Sequence, residues 1–137
     1  LLFLLISSTI LQHMKLSVIV PVYNEQGTVD LVLKKLAKER IVNEIIVVDD
    51  GSTDSTWKKI KKVKSKKIQA FQKENGGKGS AVRYGLKKVT GDYVLIQDAD
   101  LEYDPADIKY LVEATKKDIT SEIINKIKDG KRKRFRS

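Results

Sequence analysis

The chain has 137 residues, 41% of them hydrophobic, with no cysteine, a single histidine and a net charge of +9. That length supports one domain with a real core, and the missing cysteine excludes disulfides, thiolate metal sites and cysteine nucleophiles. The positive charge is confined to a lysine run (Lys58, Lys59, Lys61, Lys62, Lys64, Lys66, Lys67) and a tail from Lys126 to Arg136; the rest is net acidic, so a solvated helix face or contact with an anionic membrane is expected rather than nucleic acid.

Leu1 to Leu11 is apolar but short of the ~20 residues that span a bilayer. It reads as the end of a membrane helix or signal core, as an N-terminal anchor, or as upstream translation ahead of a start at Met14; we favour the last and keep residues 1–13 out of the fold. His13 precedes the first patterned segment, and no catalytic role is expected of it.

Leu16 to Val20 reads as a short buried strand stopped by Pro21, followed by the loop PVYNEQG. Thr28 to Arg40 then places Val29, Val32, Leu33 and Leu36 at helical spacing. A second unit follows: Glu44 to Val48 as strand, DDGSTD as loop, and Ser55 to Lys64 as a helix with Asp54 as N-cap and Trp57, Ile60 and Val63 or Lys64 inward. Lys67 to Lys73 is a weaker strand, and ENGGKGSA opens a helix running through Val89. The apolar run at Tyr93 to Ile96 reads as a strand buried on both faces. Asp104 and Pro105 then cap and begin a helix carrying Ile108, Leu111, Val112 and Thr115. Ile119 to Lys128 is expected as one more amphipathic helix, and the remaining tail as disordered. Strand and helix alternate four times, the pattern of a parallel sheet covered by helices.

Three polar loops, PVYNE, DDGSTD and DADLE, follow strands and so share one rim of that sheet, where open α/β folds bind ligands. In an extended segment Asp98 and Asp100 lie about 6.6–6.8 Å apart on one side and can converge on a hard cation, with Ala99 leaving room between them. Magnesium is commonly held by one or two carboxylates plus phosphates and waters, which suits so sparse a cluster. ENGGKGS offers backbone N–H groups, a helix N-terminus and the Lys78 ammonium to an anion. There is no G-x-x-x-x-G-K-[ST], and the first strand is not followed by G-x-G-x-x-G, which disfavours a P-loop or an ordinary dinucleotide fold.

Taken together, VIVPVYNE, IIVVDDGSTDST, NGGKGSAVRYG and GDYVLIQDADLEYDP resemble, in order and spacing, the family 2 glycosyltransferases. Within that family the chain is most similar to the polyprenyl-phosphate (dolichol-phosphate) mannosyltransferase branch, over Leu16 to Val112. The resemblance implies an α/β, Rossmann-like GT-A fold, a mostly parallel sheet with helices on both faces, truncated on the acceptor side. It divides the chain into a leader (1–13), a nucleotide-sugar-binding domain (14–118) and a short helix with a basic tail (119–137).

It further implies an inverting enzyme at the cytoplasmic face of a membrane, using GDP-mannose or a UDP-sugar, Mg2+ or Mn2+, and a polyprenyl-phosphate acceptor. Carried over by position, Pro21, Tyr23, Glu25 and Val48 line the nucleoside pocket, and Asp50 hydrogen-bonds the base. Lys78 faces the phosphates. Asp98 and Asp100 serve catalysis and the metal, joined by Glu102, where that branch commonly has glutamine. The rival expectation is a non-catalytic module docking on nucleic acid or an anionic membrane through the basic patches.

Overall fold

A computed structural model of the chain describes residues 13–115, 117, 118, 121, 122 and 125. Runs rich in valine and isoleucine form four strands, β1 (Leu16–Val22), β2 (Val42–Asp49), β3 (Ile68–Gln72) and β4 (Tyr93–Ile96). Helices α1 (Val29–Lys38), α2 (Thr56–Lys62) and α3 (Lys78–Leu86) alternate with them. The strands pair in parallel in the order β3-β2-β1-β4.

From β1 to β3 the chain steps outward across the sheet, then returns past β1 to β4. With right-handed crossovers, α1 and α2 therefore cover one face and α3 the other. The packing agrees: α1 lies against α2 and β2, α2 against β3, and α3 against β1 and β2. Met14–Asp107 forms one compact unit. In the second unit, residues 108–115 are helical.

Every residue of β1 is buried. On the α3 face Ile19, Ile46 and Val48 pack with Ala81, flanked by Phe71, Tyr84 and Val89. On α1 the expected stripe is buried: Val29, Val32, Leu33 and Leu36 are all 0% exposed. Each such side chain contributes about 1.5–3 kcal/mol relative to exposure, enough to fix which way the helix faces.

Several expectations change, among them the end of the third helix, which closes at Leu86 rather than Val89. β1 does not stop at Pro21 but runs on beside β2 to Val22. The Ile19 carbonyl accepts the Gln97 N–H on the β4 side, and the Val22 carbonyl accepts the Asp50 N–H on the β2 side. Alternate residues of a strand address opposite neighbours, so Pro21 faces β4, one step past the last pairing of Ile19 with Ile96. Its missing N–H ends only that ladder.

β4 lies at the edge of the sheet, and its Val94 and Ile96 are 40% and 48% exposed, because they share the face of Ile19, where α3 packs over β1 and β2. The helix after the second loop starts at Thr56, with Ser55 rather than Asp54 at the N-cap position; the Asp54 carboxylate still accepts the Thr56 N–H at 2.9 Å. Pro105 opens a short 3-10 turn (Pro105–Asp107) before the α-helical residues begin, and Leu111 is exposed rather than packed. Of the expected helix at 119–128, residues 121, 122 and 125 are described and are helical; its other residues lie outside the described residues, as do the tail from 129 and residues 1–12.

Candidate active site

Four loops leave the C-terminal ends of the strands, and each is fastened to the next. The first and second are stitched by Asn24 N–H to Ser52 Oγ, Thr53 N–H to Asn24 Oδ1, and Glu25 N–H to Thr56 Oγ1, each 2.9 Å. The second and third meet at Asp50. Its Oδ1 accepts Lys73 Nζ at 2.8 Å and Gly76 N–H at 3.0 Å, its Oδ2 accepts Gly77 N–H at 2.7 Å, and its carbonyl accepts Asn75 Nδ2 at 3.0 Å. The third reaches the fourth through Lys78 Nζ, 2.5 Å from Asp98 Oδ1. The fourth closes on the first where the Thr28 hydroxyl donates to the Ala99 carbonyl.

Two glycines make these junctions possible. Gly51 has φ +76°, and a Cβ there would sit 2.7 Å from the Asn75 nitrogen. Gly77 has φ +92° and turns the chain into α3, whose first residue is Lys78. Both backbones lie in the left-handed region that glycine occupies without steric penalty.

Inside the ring of loops lies a cleft of about 390 Å³, lined by Pro21, Val22, Tyr23, Glu25, Asp50, Lys78, Ala81, Ala99 and the acids Asp98, Asp100 and Glu102. It opens where β1 and β4 part, the point at which the strand order reverses and open α/β sheets hold their ligands. Eight of the nine residues singled out in the sequence meet here. Val48 does not: it is fully buried in the cluster under α3, because its side chain takes the inward direction of the β2 alternation.

The acids are placed differently from the extended geometry expected of them. The strand ends at Ile96, and the turn after it carries Leu101 at φ +63°. Asp100 Oδ1 accepts the Glu102 N–H at 3.0 Å, while Asp98 is held by Lys78. Among the described residues no three acidic or histidine side chains converge to hold a metal by themselves. Hard oxygen donors facing an open cleft nonetheless fit Mg2+ or Mn2+ bound jointly with substrate phosphates, since one or two protein carboxylates suffice there.

Burial pushes the Asp50 carboxyl up, but the Lys73 ammonium and the two glycine N–H groups outweigh it and hold the group below the usual range. A carboxylate has about four acceptor sites, and Asp50 uses three of them within the loops. Lys73 and Thr28 went unnoticed in the sequence. The place of Lys73 follows from the strand register, which the sequence alone does not give: Asp49 pairs with Gln72, which sets position 73 beside position 50.

A family model described as Glycosyl transferase family 2 matches residues 17–136. A dolichol-phosphate mannosyltransferase of Pyrococcus furiosus is 39% identical over 108 residues, covering 75% of this chain and 30% of that protein. A mannosyltransferase from Pyrobaculum calidifontis, solved with GDP-Man and Mn2+, superposes with a TM-score of 0.59 at 29% identity, over 64% of this chain and 28% of that one. Glucosyl-3-phosphoglycerate synthase from Mycobacterium tuberculosis, solved with UDP, gives 0.66 at 26% identity, over 80% and 43%. The chain thus spans less than half the length of each of these relatives. With its four loop motifs in family order and its parallel GT-A sheet, the chain belongs to glycosyl transferase family 2.

Proposed function

We propose that the chain is the donor-binding part of a metal-dependent, inverting glycosyltransferase that moves a sugar from a nucleoside-diphosphate sugar to a polyprenyl phosphate. The observation that carries this reading is the convergence, on one cleft, of the Pro21–Tyr23–Glu25 wall, the Asp50-anchored glycine turn with Lys78, and the three acids. Pro21 and Tyr23 flank the nucleoside, and the spare acceptor site of Asp50 takes a base N–H. With the Gly76 and Gly77 N–H groups held by Asp50, Lys78 and the first turn of α3 address the diphosphate. Asp98 and Asp100, with Glu102, hold Mg2+ or Mn2+, which when bound offsets the charge gathering on the departing diphosphate.

The relatives solved with GDP-Man and Mn2+ and with UDP support the donor class, and the Pyrococcus relative's name supports the acceptor. A phosphate acceptor attacks with an oxygen that is already anionic, so no general base is required of the chain. The new bond forms at the anomeric carbon as the bond to the diphosphate oxygen breaks, which inverts that centre. Such an acceptor lies at a membrane, in our reading at its cytoplasmic face. Among the described residues no helix is long and apolar enough to cross one. The test is transfer of labelled sugar from GDP-mannose or a UDP-sugar, with Mn2+, into an organic-phase polyprenyl-phosphate product of inverted anomeric configuration. Transfer to a sugar hydroxyl but to no lipid phosphate would reject the acceptor.

A further inference from the structure

We propose that Lys78 is an exchangeable counter-ion: it neutralises Asp98 in the free cleft and passes to the donor's diphosphate on binding, which frees Asp98 to ligate the divalent cation. The inference rests on the nucleotide-sugar reading above and adds a linkage between its two ligands, carried by a positioning residue of this chain.

Three of the four junctions in the loop ring use backbone groups, through Asn24, Glu25 and Thr53, through Gly76 and Gly77, and through the Ala99 carbonyl. The junction between the glycine turn and the acid turn is instead an ion pair between two side chains. The two lysine–aspartate pairs at the cleft differ sharply in exposure. Lys73 and Asp50 are 17% and 4% exposed, so that pair is a fixed part of the wall. Lys78 and Asp98 are 61% and 33% exposed, and an ion pair so open to water is weak and readily exchanged.

Its position makes exchange consequential. The ammonium starts α3, where a diphosphate would meet the N-terminal N–H groups. A divalent cation ligated by Asp98 Oδ1 would stand close to the ammonium now 2.5 Å from the same oxygen, and the two positive charges repel. A diphosphate offers Lys78 a more highly charged partner. Donor binding therefore strengthens cation binding, and by linkage the cation strengthens donor binding to the same degree.

The test is Mn2+ titration of the full chain, by calorimetry or by the electron paramagnetic resonance of free Mn2+, without nucleotide and with GDP or UDP. Without nucleotide, Lys78→Met is expected to bind Mn2+ about two- to fivefold more tightly than the wild type, the range set by loss of an exposed ion pair. With Mn2+ present, its nucleotide affinity should fall about tenfold or more, the scale of a charge-assisted phosphate contact. The gain in Mn2+ affinity conferred by nucleotide should shrink accordingly. Lys78→Arg, which keeps the cation, should retain the weak nucleotide-free Mn2+ binding of the wild type. Equal nucleotide-free Mn2+ affinities for wild type and Lys78→Met would overturn the exchange and leave the metal-dependent donor site standing. A wild type that binds no Mn2+ with either nucleotide would remove both.

Discussion

Glu44 lies at the end of the sheet remote from the cleft, only 8% exposed. Its carboxylate accepts Ser17 Oγ at 2.6 Å, Thr90 N–H at 2.9 Å, Thr90 Oγ1 at 3.0 Å and Gln69 Nε2 at 3.3 Å. Burial pushes this carboxyl up, but the bonds from Ser17 and Thr90 outweigh it, leaving the group below its ordinary range. Because the folded state prefers the ionised form, Glu44 contributes its full stability above the ordinary glutamate pKa of about 4.3. That contribution is lost as pH falls through the lower folded value. Glu44→Ala, which strands those donors, should cost about 2–3 kcal/mol at neutral pH. In urea melts, the stability advantage of wild type over Glu44→Gln should narrow as pH drops below 4; an unchanged gap would deny the ionised carboxylate this role. Neither this cluster nor Lys73 was legible in the sequence, since each depends on which residues register brings side by side. The acids of DADLE were legible as a group because their neighbours are apolar, but their arrangement was not. A strand's alternation was assumed where the chain turns at Ala99 and Asp100 instead.

The strands and helices were legible where burial dominates. The stripe Val29, Val32, Leu33, Leu36 and the valine-isoleucine runs leave one cheap way to remove apolar area from water, and the fold takes it. Edges were less legible: Tyr93 to Ile96 has the composition of a strand buried on both faces, and only the placing of α3 over β1 and β2 leaves Val94 and Ile96 exposed. Pro21 was read as a stop, yet it stops only the ladder toward β4, which is where the cleft opens. The connecting glycines give a test at this scale. A methyl at Gly51 meets the Asn75 backbone as well as an unfavourable φ, whereas at Gly77 nothing lies within 4 Å of the added Cβ. Gly77→Ala should therefore cost about 1–3 kcal/mol from backbone strain alone. Gly51→Ala should cost about 1–3 kcal/mol more, because overpacking is added to the strain. Equal thermal shifts for the two variants would mean that the two loops do not depend on their close approach.

At the scale of the whole molecule, the strand order β3-β2-β1-β4 brings the four loops to one rim and opens the gap between β1 and β4 among them. Besides Lys73 and Lys78 at the cleft, Lys58, Lys61, Lys62, Lys64 and Lys66 are exposed on α2 and the loop after it, while Lys59 and Lys67 reach backbone carbonyls of Gln26 and Glu39. This run offers phosphate-type contacts but no means of reading bases. The cleft, with its acids and its two placed lysines, is where we propose that the donor binds. The most direct test of donor binding is calorimetric titration of the full chain with GDP and with UDP, in Mn2+ and in EDTA, for the wild type, Asp98→Ala and Asp100→Ala. We predict nucleotide binding that Mn2+ strengthens and that falls about tenfold or more in either variant. Binding of equal strength in Mn2+ and EDTA, and indifferent to both substitutions, would contradict the metal-dependent donor site.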